Sequence, residues 1–174
     1  WFLALFGVMS LGITLSLHHF DAANRPLLPL GRRPSWQGIV WGLGGALLVV
    51  APLALVYAGT PIEARGGGVP RAHLPAILIF ALLGNLWEEA LFRGYVYGLL
   101  ARDHPPMQAG AASGVVFAFC HIFLAITVSD VGYPLLAFAL WEGVIAGLVG
   151  AKHGVIPATL THGGVIFLLT SGLI

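Results

Sequence analysis

Two adjacent glutamates, Glu88 and Glu89, lie inside a stretch of the chain that is otherwise almost entirely apolar. Placing one carboxylate at the centre of a bilayer costs roughly 2.5–3.5 kcal/mol on insertion scales. An arginine, Arg93, follows one helical turn after the second glutamate. Ionisable side chains kept at such a depth usually face a protein interior or a water-filled cavity and serve a function. We therefore predict that this segment is the chemical centre of the protein.

The composition of the chain places this segment in a membrane. Hydrophobic residues make up 58% of the sequence and charged residues 9%, whereas soluble domains carry about 25% charged residues. A helix needs about 20 largely apolar residues to cross the hydrocarbon core. The sequence therefore predicts an all-α, polytopic transmembrane helical bundle with about six spans, at residues 1–19, 36–59, 73–102, 106–124, 133–150 and 154–173.

The distribution of residues predicts two parts and limits the partners. Residues 1–72 are expected to form N-terminal transmembrane helices and loops, and residues 73–174 a core that carries the ionisable side chains. The basic residues are scattered among loops, so no nucleic-acid partner is indicated. A single cysteine, Cys120, excludes an internal disulfide and a thiolate metal cluster. We expect a multi-pass protein of the cell (inner) membrane; the sequence does not indicate its oligomeric state.

Three of the predicted spans bring ionisable side chains to a similar depth. Counting about 1.5 Å per helical residue, Glu88 lies roughly 20 Å from the turn that ends its span. His121 lies roughly 22 Å beyond Pro106, and His162 lies roughly 15 Å beyond Lys152 in the turn before its span. A carboxylate and two imidazoles from independent helices are therefore predicted to meet.

Helix geometry gives the two glutamates different surroundings. Glu89 and Arg93 are four residues apart and share a face, so they are predicted to form an ion pair that neutralises both charges. Glu88 points about 100° away, because a helix completes one turn in 3.6 residues. It is free to face a cavity and to act as a general acid or base, with His121 sharing the proton or holding the water molecule in place.

Short motifs around these residues occur in order on successive spans. The first motif is Glu88-Glu89-x-x-x-Arg93, and the second is Phe117 and His121, which are separated by three residues. Together they resemble the first two signatures of the CAAX protease and bacteriocin-processing family (CPBP, or Abi), a family of intramembrane endopeptidases.

The third signature of that family is a histidine that follows a glycine-rich helix, a turn, small residues and a proline. Residues 143–162, which end at His162, resemble this stretch. The family has an asparagine or aspartate four residues after the histidine, whereas this chain has Ile166 there. The resemblance spans residues 73–173, over half of the chain.

The resemblance implies an intramembrane endopeptidase, a hydrolase that activates water with a glutamate and uses neither a metal nor another cofactor. The residue matching Glu88 activates the water with help from the one matching His121, and the residue matching His162 stabilises the oxyanion. The implied partners are the lipid bilayer and a peptide or protein substrate in or at the membrane. Cleavage is expected near a terminus, as in a bacteriocin leader, a C-terminal sorting signal or a CAAX-like tail.

Two polar residues are the nearest replacements for the hydrogen-bond donor that Ile166 cannot supply. They are Asn85 and Thr159, each about one turn before an ionisable residue of the predicted site. Glu142 lies early in its span, directly after a tryptophan. We therefore expect Glu142 near the outer membrane interface and outside the catalytic set.

Three other functions fit the same residues. One glutamate and two histidines can hold zinc with an open position for water, but no His-Glu-x-x-His motif occurs. Membrane carboxylates and histidines also serve transporters and proton relays, although the inverted repeat of many transporters is not visible. A catalytically inactive immunity or scaffold protein is the third, because Ile166 removes a donor. Mutation of Glu88 and chelation of metal would separate these functions.

Overall fold

The computed structural model describes residues 1–21, 23, 34–65, 68–128 and 132–173, and within these residues it contains helices and no strand. Its main helices are α1 (Phe2–Phe20), α2 (Trp36–Val56), α3 (Arg71–Leu100), α4 (Pro106–Cys120), α5 (Tyr133–His153) and α6 (Val155–Ser171). In the described part of the chain, five helical stretches are long and apolar enough to cross a membrane: α1, α2, α3, α5 and the stretch Pro106–Thr127 that contains α4. The apolar helix α6 has 17 residues and is shorter. The prediction of an all-α bundle of membrane helices is therefore confirmed.

Helix α3 is continuous but not uniform. Its α-helical turns are interrupted by two wider π-helical segments, Phe80–Gly84 and Ala90–Val96. The two glutamates lie on the short α-helical stretch between them, Asn85–Glu89. Single π-helical turns within α-helices occur frequently at functional sites. The irregular windings of α3 therefore flank the segment that the sequence marks as chemically active.

Helix α6 lies in the middle of the bundle and contacts α2, α3 and α5. On one side it joins a core cluster with α2 and α5 that includes Val49, Ile145 and Val165. Helix α1 packs against the first half of α3, and α4 packs along α5. The ionisable residues of α3, α5 and α6 thus project into an interior that these helices share.

Glycines bring α4 and α5 into direct backbone contact. Gly114 on α4 faces Gly143 on α5, and a methyl group added at Gly114 would meet the backbone carbonyl of Gly143. Small residues that allow such close approach are typical of packed membrane helices. The contact fixes the position of α5, which carries part of the site described below.

We expect Gly114→Ala to lower the stability of the detergent-extracted protein, because the added methyl group has to push α4 away from α5. Overpacking a tight interior costs about 1–3 kcal/mol. Gly44→Ala is the matched control: Gly44 on α2 is exposed, and a methyl group there meets no atom of the described residues within 4 Å. Thermal unfolding followed by gel filtration compares the two variants, and equal melting temperatures would contradict the close contact.

Candidate active site

Four ionisable side chains form a buried cluster between α3, α5 and α6. The members are Glu89 and Arg93 on α3, Glu142 on α5 and His162 on α6, and none is more than 4% exposed. Charged side chains are almost never fully buried unless they are paired. The contacts within this buried cluster therefore decide what it can do.

One carboxylate oxygen of Glu89 contacts two other members of the cluster. Its Oε1 lies 3.0 Å from Arg93 Nη1 and 2.9 Å from Nδ1 of His162. Arg93 also donates from Nη2 to the backbone carbonyl of Gly143 on α5, at 2.9 Å. The carboxylate and guanidinium that the sequence pairs by spacing thus lie together, and they link α3 to both α5 and α6.

The contact with Glu89 fixes which ring nitrogen of His162 carries a proton. A carboxylate accepts hydrogen bonds, so Nδ1 of His162 is the donor in the 2.9 Å contact. The second ring nitrogen, Nε2, points away from that carboxylate, because the two nitrogens lie on different sides of the ring. This nitrogen is therefore the one that the hydrogen bond to Glu89 leaves unused.

His121 lies where helix α4 ends. The helix stops at Cys120, and the half-buried ring of His121 donates from Nδ1 to the carbonyl of Phe117, at 2.9 Å. Carbonyls in the last turn of a helix lack partners within the helix, and this side chain supplies one. In the neutral ring Nε2 is then an acceptor, which is the form that can take a proton from water.

The ring of Phe117 contacts both histidine rings. Its centroid is 4.3 Å from the ring of His121 and 5.3 Å from that of His162, which it meets edge-on. The guanidinium carbon of Arg93 lies 4.7 Å from the same centroid, a distance typical of a cation–π contact. The fully buried phenylalanine of the second motif therefore packs against both imidazoles and against the guanidinium of the ion pair.

Glu88 differs from Glu89 in its exposure and in its contacts. Its side chain is partly exposed, and it has no hydrogen-bond or ion-pair partner among the described residues. It still lies close enough to Glu142 and His162 to interact with both electrostatically. No hydrogen bond joins Glu88 to His121 in the described structure, so their joint action on a water molecule stays a prediction.

The two polar residues predicted to replace the absent donor are engaged within their own helices. Asn85 donates from Nδ2 to the carbonyl of Ala81 at 2.7 Å, and Thr159 donates from Oγ1 to the carbonyl of Val155 at 2.9 Å. Both side chains are buried. A role for either residue at an oxyanion, where it would make up for half-buried Ile166, also stays a prediction.

The expectation for Glu142 is wrong. Instead of lying near the interface, its side chain is 4% exposed and interacts electrostatically with His162, Glu89 and Arg93. The adjacent Trp141 is exposed, so the two neighbours lie on different faces of α5. The spacing of small residues could have predicted the burial of Glu142. It lies three residues after Ala139 and four before Ala146, both of which are buried. That spacing marks the packed face of α5.

The residues proposed as zinc ligands in the alternative function are arranged differently from a metal site. Among the described residues, no group of three His, Cys, Asp or Glu side chains is placed to hold a metal ion. The rings of His121 and His162 both contact the ring of Phe117, at centroid distances of 4.3 Å and 5.3 Å. Zinc sites need their ligating nitrogens about 2.0–2.1 Å from one ion.

Comparison with known proteins gives a family match over the same region. The sequence model described as Type II CAAX prenyl endopeptidase Rce1-like matches residues 70–168. This range is more than half of the chain and contains the whole buried cluster together with Glu88 and His121. No curated protein and no solved structure matches the chain.

Proposed function

The chain belongs to the Rce1-like family of type II CAAX prenyl endopeptidases, and we propose that it hydrolyses peptide bonds in the membrane with Glu88 as the base that activates water. The family consists of proteases, so the substrate class is a peptide or protein at the membrane. The apolar helices make the chain an integral membrane protein. The proposed substrates are membrane-associated chains cleaved near a terminus: a bacteriocin leader, a C-terminal sorting signal or a CAAX-like tail.

The contrast between the two adjacent glutamates carries this proposal. Glu89 is completely buried, and its Oε1 is engaged by Arg93 and His162. A general base must reach its water and must be free to accept the proton. Partly exposed Glu88, which has no ion-pair partner among the described residues, meets both conditions.

In the proposed reaction, the carboxylate of Glu88 takes one proton from water while the water oxygen attacks the peptide carbonyl carbon. The new C–O bond moves the carbonyl electron pair onto oxygen, and an N–H of His162 stabilises that oxyanion. When the oxyanion collapses, the C–N bond breaks and the proton on Glu88 passes to the leaving amine. Nε2 of His121 is suited to hold the water, because its Nδ1 is committed to the carbonyl of Phe117.

We also propose that residues 73–174 are the catalytic core and that residues 1–72 are a supporting part. The side chains used in the reaction come from α3, α4 and α6, and Glu88 is the first of them along the chain. Helix α1 supports the core by packing against the first half of α3. The cell (inner) membrane is the proposed location.

Sequencing of peptide termini on isolated membranes tests the proposed function. Cells that produce the wild-type chain are compared with cells that produce Glu88→Ala and with cells that lack the chain. Termini present only with the wild type would establish proteolysis and identify the substrate. The proposal fails if no peptide terminus differs while cells that produce Glu88→Ala still differ in phenotype from cells that lack the chain. The transporter or scaffold function then takes the place of the protease.

Chelation separates the glutamate mechanism from the zinc alternative. Cleavage of the identified substrate is expected to be unchanged by o-phenanthroline, because the proposed water activation uses the side chains of Glu88 and His121 and no metal ion. The measurement is the cleavage rate with and without the chelator, with a known zinc protease as the positive control. A loss of cleavage that added zinc restores would overturn the glutamate mechanism.

A further inference from the structure

Glu142 is a buried carboxylate that the proposed reaction does not use. Its Oε1 has no hydrogen-bond partner among the described residues. Glu142 and His162 interact electrostatically with each other, and Glu89 acts on His162 through both a 2.9 Å hydrogen bond and its charge. An ionisable side chain with an unsatisfied acceptor therefore lies in the same buried cluster as the imidazole that stabilises the oxyanion in the proposed mechanism.

The charges of the buried cluster balance only with one additional proton. Glu89 and Glu142 contribute two negative charges when both are ionised, whereas Arg93, which stays protonated in proteins, contributes one positive charge. A net charge inside a membrane protein is costly, so the neutral cluster is favoured. The proton can be held by Glu142 or by His162, and His162 is the member whose ring already contacts a carboxylate, at 2.9 Å from Glu89 Oε1.

Burial of the His162 ring disfavours a positive charge on it, and all of its charged neighbours except one oppose that effect. Glu88 and Glu89 act on it from α3 and Glu142 from α5. The exception is Arg93, whose guanidinium is already paired with Glu89. Helix α4 presents the apolar ring of Phe117 to His162, His121 contacts that same ring, and α2 contains no ionisable residue.

The protonation of His162 decides whether it can stabilise an oxyanion. Nδ1 donates to Glu89, so a neutral ring would present the lone pair of Nε2 to the substrate and repel a developing negative charge. A doubly protonated ring presents an N–H there instead. A charged donor also forms a stronger hydrogen bond than a neutral one.

We propose that Glu142 is a positioning residue that keeps the ring of His162 doubly protonated, so that Nε2–H is available to the substrate oxygen. This role rests on the proposed function. The positive charge on His162 makes up for the donor that Ile166 cannot supply, because a hydrogen bond from a charged donor is about twice as strong as one from a neutral donor.

Nitrogen-15 NMR of the full-length protein in nanodiscs, with labelled histidine, tests the assignment at neutral pH. His162→Gln identifies the signals of that ring. We expect two protonated ring nitrogens on His162 in the wild type and in Glu142→Asp, and one in Glu142→Gln. Glu63→Gln is the matched control, because Glu63 lies on the exposed short helix Ile62–Arg65 and is expected to leave the ring unchanged.

Two results would overturn the proposal. The first is a singly protonated His162 ring in the wild type, a measurement that does not depend on the folding of any variant. The second is a ring that stays doubly protonated in Glu142→Gln. With the substrate identified above, Glu142→Gln is expected to lower kcat by about 10²-fold with little change in KM, as when one oxyanion donor is removed. Glu142→Asp should restore much of that loss. The NMR measurement needs no substrate, so it tests the protonation of His162 independently of proteolysis. Failure of the proposed function would instead appear as unchanged peptide termini in the sequencing experiment.

Discussion

Glu88→Gln is expected to lower kcat by about 10²–10⁴-fold, the usual contribution of a general base. Glutamine keeps the size and polarity of the side chain but cannot take a proton from water at neutral pH. Because Glu88 is partly exposed and has no ion-pair partner in the described structure, the melting temperature of the variant should equal that of the wild type. The measurements are the cleavage rate of the identified substrate in nanodiscs and thermal unfolding of the same sample.

Glu89→Gln is the matched control for this prediction. The two glutamates are adjacent and receive the same substitution, but Glu89 is completely buried and pairs with Arg93. Its replacement should lower the melting temperature, since Arg93 then lacks a negative partner. Full cleavage by Glu88→Gln together with loss of cleavage by Glu89→Gln at unchanged stability would assign the base to Glu89 instead.

The parts of this structure that depend on one helix at a time could be predicted from the sequence. Long apolar stretches locate the membrane helices, because the bilayer requires a minimum length of them. The pairing of Glu89 with Arg93 follows from their spacing of four residues, and the 3.0 Å distance agrees with it. The length of each span likewise placed His162 at the depth of the glutamates, and it does contact Glu89.

The parts that depend on how helices face one another could not be predicted in this way. The burial of Glu142 depends on the rotation of α5, which is set by its contact with α4 at Gly114 and Gly143. The contact of Phe117 with both histidines requires α4 and α6 to be packed together with α3. The π-helical segments of α3 leave no periodic signal, because nearly all of their positions are apolar, Arg93 and Tyr95 being the exceptions.

Arg93→Ala is expected to have the largest effect on stability, a loss of about 3–5 kcal/mol, as when one partner of a buried ion pair is removed. Arg93 pairs with Glu89 and donates to the carbonyl of Gly143 on α5. Its guanidinium also lies over the ring of Phe117 on α4. The alanine variant loses these contacts between α3, α4 and α5, and it leaves a buried carboxylate with His162 as its remaining partner.

Reversible unfolding in bicelles measures this loss, and Arg102→Ala is the matched control because Arg102 is exposed in the turn after α3. The double variant Glu89→Gln/Arg93→Ala shows how the loss arises. If the unpaired charge of Glu89 causes most of it, the double variant will be more stable than Arg93→Ala alone, because no buried carboxylate is then left unneutralised. If the double variant is less stable by the sum of both single losses, the packing of Arg93 against α4 and α5 contributes more to stability than its charge does. Equal stability of Arg93→Ala and Arg102→Ala would contradict both explanations and show that the ion pair contributes nothing to the fold.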